Sequence, residues 1–182
     1  MDNKFSASTS LGYAVLFVSL WLWYMAYTGW IAISDAQTII PTMLILGGVV
    51  LAIAGIFSFF NGDKIETVLF LVIAAYSFSF VLRMMMYPNL AANSNPAAVD
   101  GWQHFLVCVV VFCLWFGGQG GKSMRQLFLL ALGLSELIAA IWNWTGALVL
   151  GTIAGYIGLI AAILALLYFL STIRSAKEPS AA

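Results

Sequence analysis

The sequence has few charged residues: only 8% of its 182 positions are Asp, Glu, Lys or Arg, whereas 63% are hydrophobic. Soluble globular domains carry about 25% charged residues, so this chain has too few to cover a surface exposed to water. Its mean hydropathy of +1.02 indicates that lipid covers most of that surface. The seven basic and seven acidic residues balance to zero. Since no basic stripe is present either, nucleic acid is excluded as a partner.

Histidine and cysteine are also scarce, with one His and two Cys in the chain. A lone His104 excludes an HExxH motif, a bis-histidine haem site and a zinc site built on histidines. Cys108 and Cys113 form no CxxC pair. The segment 117–123, GGQGGKS, differs from a phosphate-binding loop, because only three residues separate its first and last glycines and no strand precedes it. The sequence therefore predicts no enzyme, no metal site and no cofactor.

Long apolar stretches dominate what the chain does contain. A helix that crosses a hydrocarbon core of about 30 Å needs roughly 20 apolar residues, and its backbone must bond internally. Short breaks with turn residues, such as Asn-Gly-Asp at 61–63, separate the stretches. The prediction is an all-α membrane protein with a six-helix transmembrane domain over residues 11–173, a segment 1–10 before it and a tail 174–182 after it. The predicted helices are 11–33, 39–60, 65–87, 102–118, 124–144 and 147–173.

The basic residues predict the orientation, because Lys and Arg in short loops stay on the cytoplasmic side of a membrane. With six helices, six of the seven basic residues fall on one side, and only Arg83 falls on the other. We therefore predict that both termini are cytoplasmic and that the protein spans the cell membrane several times. The six residues on the predicted cytoplasmic side are Lys4, Lys64, Lys122, Arg125, Arg174 and Lys177.

Glu136 is the most unusual residue within the apolar stretches. It lies twelve residues after Met124, which is about 18 Å into the membrane. A carboxylate at that depth is costly, so it should face the bundle interior or water and is a candidate functional group. Asn143, seven residues later, lies at nearly the same helical angle, so the two are expected to form one polar seam. Two readings stay open: Glu136 is a proton-sensitive group of a transport path, or it is a hydrogen-bonded residue that fixes helix packing.

Small residues recur at intervals of three or four in two of the predicted helices. Such spacing lets helix backbones approach closely, as in GxxxG contacts, so it predicts tight packing of these helices. The residues are Gly151, Gly155, Gly158 and Ala162 in the sixth helix, and Gly48, Ala52 and Gly55 in the second.

The order of these motifs resembles the acetate uptake transporter family. The sixth helix contains Ala-Gly-Tyr-Ile-Gly-Leu-Ile at 154–160, and the preceding segment 141–146, with Asn143 and Gly146, is similar to the Gly-Asn-x-x-Gly break of that family. The glycines at 47–48 and 55, followed by Asn-Gly-Asp at 61–63, are similar to its second helix and turn. Short apolar motifs of this kind extend over nearly the whole chain.

Three departures from the family pattern concern function. The family signature Asn-Pro-Ala-Pro-Leu-Gly-Leu corresponds to Ala-Ser-Thr-Ser-Leu-Gly-Tyr at 7–13, where only Leu11 and Gly12 match. Cys113 stands where the family has Thr, and Glu136 stands where it usually has an apolar residue. The fold therefore carries over more readily than the substrate.

The resemblance implies a six-helix subunit of a homo-oligomer, a ring-shaped hexamer. Such a protein passes a small monocarboxylate such as acetate, with proton coupling as a further expectation. It implies a small-molecule solute and the lipid bilayer as partners. The candidate residues of the transport path or substrate site are Glu136, Asn143, Leu11, Tyr13, Tyr76 and Arg83.

Two alternatives stay open. A urea or amide channel shares the six-helix hexameric plan and conducts a neutral solute, for which no titratable group is needed. A membrane subunit that transports nothing is the other alternative, with the aromatic first helix packing a partner protein. Trp21, Trp23, Tyr24 and Tyr27 are the aromatic residues of that helix.

Overall fold

The computed structural model describes residues 7–32, 35, 37–86, 96–118 and 123–175. Within these residues, six helices are long and apolar enough to cross a membrane. They are α1 (Ser8–Tyr27), α2 (Ile40–Asn61), α3 (Lys64–Met86), α4 (Pro96–Gly117), α5 (Met124–Thr145) and α6 (Leu148–Ser175). The prediction of an all-helical, six-span membrane protein is confirmed.

Glycines with positive φ end three of the six helical segments. Gly62 (φ 80°) follows α2 and Gly146 (φ 70°) follows α5, while Gly29 (φ 76°) lies just beyond the end of α1. Only glycine enters this left-handed region without a steric cost, so it commonly terminates a helix. The first helix therefore ends at Tyr27 rather than at the predicted residue 33, although the residues that follow remain apolar.

Two helix starts also differ from their predicted positions. Helix α4 begins at Pro96 instead of residue 102, because proline is favoured in the first turn, where its missing N–H has no partner to lose. Helix α1 begins at Ser8, inside the segment expected to precede the first span. The remaining parts of both predicted terminal segments, 1–6 and 176–182, lie outside the described residues, as do residues 87–95, which include the predicted end of the third helix, and residues 119–122.

Helix α2 is irregular in a way that the sequence analysis did not predict. Its residues Leu44–Val50 form a π-helical segment between the α-helical stretches Ile40–Met43 and Leu51–Asn61. Gly47 and Gly48 lie at the centre of this segment and are buried. Segments of π-helix inside α-helices are rare and are frequent at functional sites.

The six helices pack as a closed bundle. Helix α1 packs against α6 and α2, α6 against α5, α5 against α4, and α3 closes the circle by packing against α2 and α4. The start of α1 and the end of α6 lie together at one end of the molecule, where the side-chain oxygens of Ser10 and Thr172 are 2.8 Å apart. We call this the N-terminal end. Its assignment to the cytoplasmic side stays a prediction.

The small residues of α6 allow close contact with α1, as their spacing indicated. A Cβ on residue 158 would lie 2.3 Å from the ring of Tyr24, and one on residue 155 would lie 2.9 Å from the backbone nitrogen of Thr28. The small-residue face of α6 is therefore an internal packing surface of the protomer. Large apolar side chains on its other side, including Ile153, Ile160 and Ile163, are exposed and face the surroundings of the bundle.

Candidate functional site

A cluster of polar side chains lies inside the bundle, about halfway along it. It consists of Glu136 on α5, His104 on α4, Tyr24 and Tyr27 on α1, and Tyr76 on α3, and we call it the Glu136 cluster. Glu136 is 4% exposed and His104 is 2% exposed, so both are shielded within the protomer. Four helices thus contribute side chains to one buried polar cluster.

Both carboxyl oxygens of Glu136 have partners. The Tyr24 hydroxyl donates to Oε1 at 2.7 Å, and His104 Nδ1 lies 2.7 Å from Oε2. Glycine at position 158 leaves the space that the Tyr24 ring occupies. On the neighbouring residue of α5, the Ser135 hydroxyl donates to the Ala154 carbonyl of α6 at 2.8 Å. These bonds fix the rotation of α5 so that Glu136 faces the bundle interior.

The second ring nitrogen of His104 extends the cluster to two more tyrosines. His104 Nε2 lies 3.0 Å from the Tyr27 hydroxyl and 3.4 Å from the Tyr76 hydroxyl, the second contact being longer than an ordinary hydrogen bond. If His104 is neutral with its proton on Nδ1, Nε2 accepts from a tyrosine; if it is charged, Nε2 donates to one. The same geometry therefore satisfies the cluster with or without one additional proton.

Among the residues of this site, the sequence analysis predicted Glu136 and Tyr76 but not His104, Tyr24 or Tyr27. The predicted start of the fourth helix at residue 102 leaves His104 within the first turn of that span. With its true start at Pro96, His104 lies about 12 Å along the helix axis and inside the bundle.

The other candidate residues lie in different places. The Asn143 amide nitrogen donates to the Ala139 carbonyl of its own helix at 2.8 Å. This bond does not connect Asn143 to Glu136, with which it was expected to form a polar seam. Arg83 forms an ion pair with Asp100, which links the end of α3 to the start of α4. Leu11 is 40% exposed near the start of α1.

Tyr13 belongs to the N-terminal half of the bundle. Its ring is fully buried and packs edge-on against Phe70, Phe128 and Tyr168, with ring centroids 4.5 to 5.5 Å apart. Tyr13 lies eleven residues before Tyr24 on α1, which is about 16 Å along the helix axis. It is therefore separate from the Glu136 cluster.

The described residues also contain an ion pair near the N-terminal end. Arg125 Nη1 donates to Glu66 Oε1 at 3.0 Å, which joins the first turns of α5 and α3. Glu66 is buried, whereas the Arg125 side chain is 30% exposed. This pair links the starts of two helices that are not adjacent in the bundle.

A small cavity adjoins the Glu136 cluster and has a volume of about 30 Å³. Ser19 and Trp23 of α1, Tyr76 and Ser77 of α3, and Glu136 contribute to its wall. The rest of the wall is apolar. This volume exceeds what a single water molecule requires.

Comparison with known proteins identifies the architecture. The structure is similar to that of the bacterial acetate channel SatP, with a TM-score of 0.84, 22% sequence identity and 93% of each chain covered. No protein-family model matches the sequence, and a search of curated proteins found no match. The likeness confirms the six-helix fold and the structural resemblance that the sequence motifs indicated. At this identity it establishes the fold alone, so the hexamer stays a prediction.

Proposed function

We propose that the protein is a membrane passage for a small monocarboxylate such as acetate, and that the Glu136 cluster couples this passage to a proton. The observation that carries the proposal is a carboxyl group buried halfway through the bundle and bonded at both oxygens, in a fold shared with an acetate channel. Buried ionisable groups in membrane spans typically mark ion and proton pathways.

Electrostatics explains why a proton would accompany the solute. Two carboxylates 5 Å apart repel each other by about 3 kcal/mol at an effective dielectric constant of about 20, so an anion next to ionised Glu136 is disfavoured more than a hundredfold. A proton on Glu136 or on His104 removes most of this repulsion. One anion and one proton would then occupy the site together.

The tyrosines of the Glu136 cluster suit this proton exchange. Each hydroxyl can donate or accept, so Tyr27 can serve either protonation state of His104 without a change in helix packing. Tyr24 keeps a donor on the carboxyl group throughout. The cluster can therefore gain and lose a proton while the bundle stays assembled.

The remaining candidate residues are proposed to lie along the same path. Arg83, beside Asp100, would act near the end of the bundle opposite the N-terminal end. Asn143, about 10 Å from Glu136 along α5, would be a polar contact on that side. Leu11 and Tyr13 would line the approach near the N-terminal end.

Uptake by proteoliposomes tests this function. We expect purified protein to admit labelled acetate faster than protein-free liposomes, and an inward proton gradient to increase the rate. Lactate and urea are the comparison solutes. Uptake of urea without acetate would favour the neutral channel, whereas no uptake of any of the three would favour the subunit that transports nothing.

A further inference from the structure

The Glu136 cluster forms one chain of hydrogen bonds that has two ends. The Tyr24 hydroxyl donates to Glu136 Oε1 at 2.7 Å, and Glu136 Oε2 lies 2.7 Å from His104 Nδ1. On the other side of the imidazole ring, His104 Nε2 lies 3.0 Å from the Tyr27 hydroxyl. All three distances are those of ordinary hydrogen bonds. A proton that moves along this chain between Glu136 and water must therefore pass the Tyr24 end or the Tyr27 end.

The Tyr24 end of the chain is enclosed by the protein. Tyr24 is fully buried, and its ring packs against α6 at Gly158. The neighbouring Ser135 hydroxyl donates to the Ala154 carbonyl, which has no proton to pass on. The next apolar side chains of α5 towards the N-terminal end are also fully buried, namely Leu132, Leu129 and Phe128. Packed protein therefore separates the Tyr24 end of the chain from the N-terminal end of the bundle.

The Tyr27 end of the chain lies nearer to water. Tyr27 is the last residue of α1 and is half-buried, whereas Tyr24 is fully buried. Asp100 lies one turn before His104 on α4, on the same face and about 6 Å closer to the start of that helix. Asp100 pairs with Arg83, and these two side chains are 26% and 24% exposed. Charged side chains in a membrane span turn towards water, so this ion pair places water within about one turn of His104.

The charges around His104 favour movement of a proton inwards. The titratable and charged groups near it come from four helices. They are Tyr24 and Tyr27 on α1, Tyr76 and Arg83 on α3, Asp100 and Cys108 on α4, and Glu136 on α5. Arg83 balances the charge of Asp100, so the negative charge of this group that lacks a cationic partner is that of ionised Glu136. This charge attracts a proton from the Asp100 side towards the bundle interior.

We propose that the Tyr27 hydroxyl and His104 form a proton relay that loads Glu136 from the end of the bundle opposite the N-terminal end. The inference rests on the proposed function and specifies the route of the coupled proton. In loading, Tyr27 passes its hydroxyl proton to His104 Nε2 and takes another from water, while the Nδ1 proton moves to Glu136 Oε2. One proton enters, Glu136 becomes neutral, and His104 stays neutral with its proton on Nε2. The reverse steps release the proton.

Two measurements on proteoliposomes separate the relay from the path of the solute. Acetate uptake driven by an inward proton gradient needs a proton to enter with each anion. Exchange of labelled for unlabelled acetate at equal pH needs no net movement of protons. The double substitution Tyr27→Phe and Tyr76→Phe removes both hydroxyl groups from His104 Nε2 and keeps both rings. We expect it to slow gradient-driven uptake about tenfold or more, because a positioned proton-transfer group is lost, and to leave exchange near the wild-type rate.

Single substitutions locate the relay within the cluster. Tyr27→Phe alone should give most of the loss, because its hydroxyl is 3.0 Å from Nε2 and that of Tyr76 is 3.4 Å away. Tyr24→Phe should move the pH profile of uptake but keep its acceleration by the proton gradient. Tyr168→Phe is the matched control, since Tyr168 is a half-buried tyrosine that packs against Tyr13 outside the cluster. It should behave like the wild-type protein in both measurements.

Three results would overturn the relay and leave acetate transport intact. The first is wild-type gradient-driven uptake in the double variant, and Tyr27→Phe carries the same comparison if the double variant does not fold. The second is loss of exchange together with uptake, which would assign the tyrosines to packing or to the solute path. The third is loss of the acceleration in Tyr24→Phe with retention in Tyr27→Phe, which would place proton entry at the other end. A wild-type protein that exchanges acetate without responding to a proton gradient would instead refute the proposed coupling itself.

Discussion

Replacing Glu136 with Gln or with Ala separates a proton-carrying role from a packing role. Ala removes both acceptor atoms, which leaves the Tyr24 hydroxyl and His104 Nδ1 without their partner. A buried polar group left unpaired costs about 1–3 kcal/mol, so two of them cost about 2–6 kcal/mol. Hydrogen bonds measured within membranes average about 0.6 kcal/mol, which sets a lower limit of about 1 kcal/mol for the pair.

Glu136→Gln keeps the shape and most of the bonding. Its amide oxygen accepts from Tyr24, and its amide nitrogen donates to His104 Nδ1 once the ring proton has moved to Nε2. His104 Nε2 then donates to the Tyr27 hydroxyl over the same 3.0 Å. We therefore expect Gln to cost less than about 1 kcal/mol, which is below the lower limit for Ala, while removing the carboxyl group.

The assay combines thermal unfolding in detergent with acetate uptake measured at several pH values between about 5 and 8. Wild-type uptake should fall as pH rises, because the anion then enters beside a carboxylate that lacks its proton. Glu136→Gln should fold normally and show a flat profile after subtraction of protein-free liposomes. An unchanged pH profile in Glu136→Gln would remove Glu136 from the mechanism and leave a passive channel as the better explanation.

Three further outcomes are expected. Gly155→Leu should abolish the folded protomer, because the added side chain meets α1 backbone at 2.9 Å, and an unchanged native mass spectrum would contradict this. Arg125→Ala should lower stability by about 1–3 kcal/mol by leaving buried Glu66 unpaired, the partial exposure of the arginine keeping the loss moderate. Thermal unfolding should show less loss when both residues of this pair become Gln, and equal loss would refute the pairing argument. A reporter that works only in the cytoplasm should give signal after Lys177 and none after Asn95, and the reverse pattern would invert the predicted topology.

The number and positions of the spans follow from hydropathy, because a backbone in lipid must bond internally and only long apolar helices do so. The ends of the spans depend on interactions of single polar residues, which hydropathy does not predict. The first turns of α4 carry Asp100, Gln103 and His104, and the predicted span began only after Asp100, at residue 102. In the fold Asp100 pairs with Arg83 and Gln103 donates to Ser79, and this part of the helix is therefore well accommodated against α3.

The sequence analysis did not predict the π-helical segment of α2, and the reason is different. Gly48 indicated close packing, and it does pack closely against Phe78, as Gly47 does against Ser77. Composition alone does not distinguish a regular close contact from a change in hydrogen-bond register. The register depends on which side chains of α1 and α3 face the segment, and this is tertiary information.

Glu136 was found from the sequence because the cost of burying a carboxyl group is a property of one residue and its depth. Its partners were not, since they depend on which helices are neighbours. The helical-angle argument put Asn143 on the same face, but a short amide side chain reaches its own helix backbone more easily than a group two turns away. Two residues at the same helical angle therefore need not contact each other.

A depth argument identifies His104 as the partner once α4 is known to begin at Pro96, whereas the predicted start at residue 102 leaves His104 only about 3 Å into the span. Glu136 lies about 14 Å from the end of α5, and His104 lies about 12 Å from the start of α4. Consecutive helices joined by a short hairpin run antiparallel, so these two depths are measured from the same end of the bundle. A buried carboxyl group in a membrane span needs a partner. The chain has one histidine, and it lies at nearly the same depth as Glu136. This match in depth identifies His104 as the partner of Glu136.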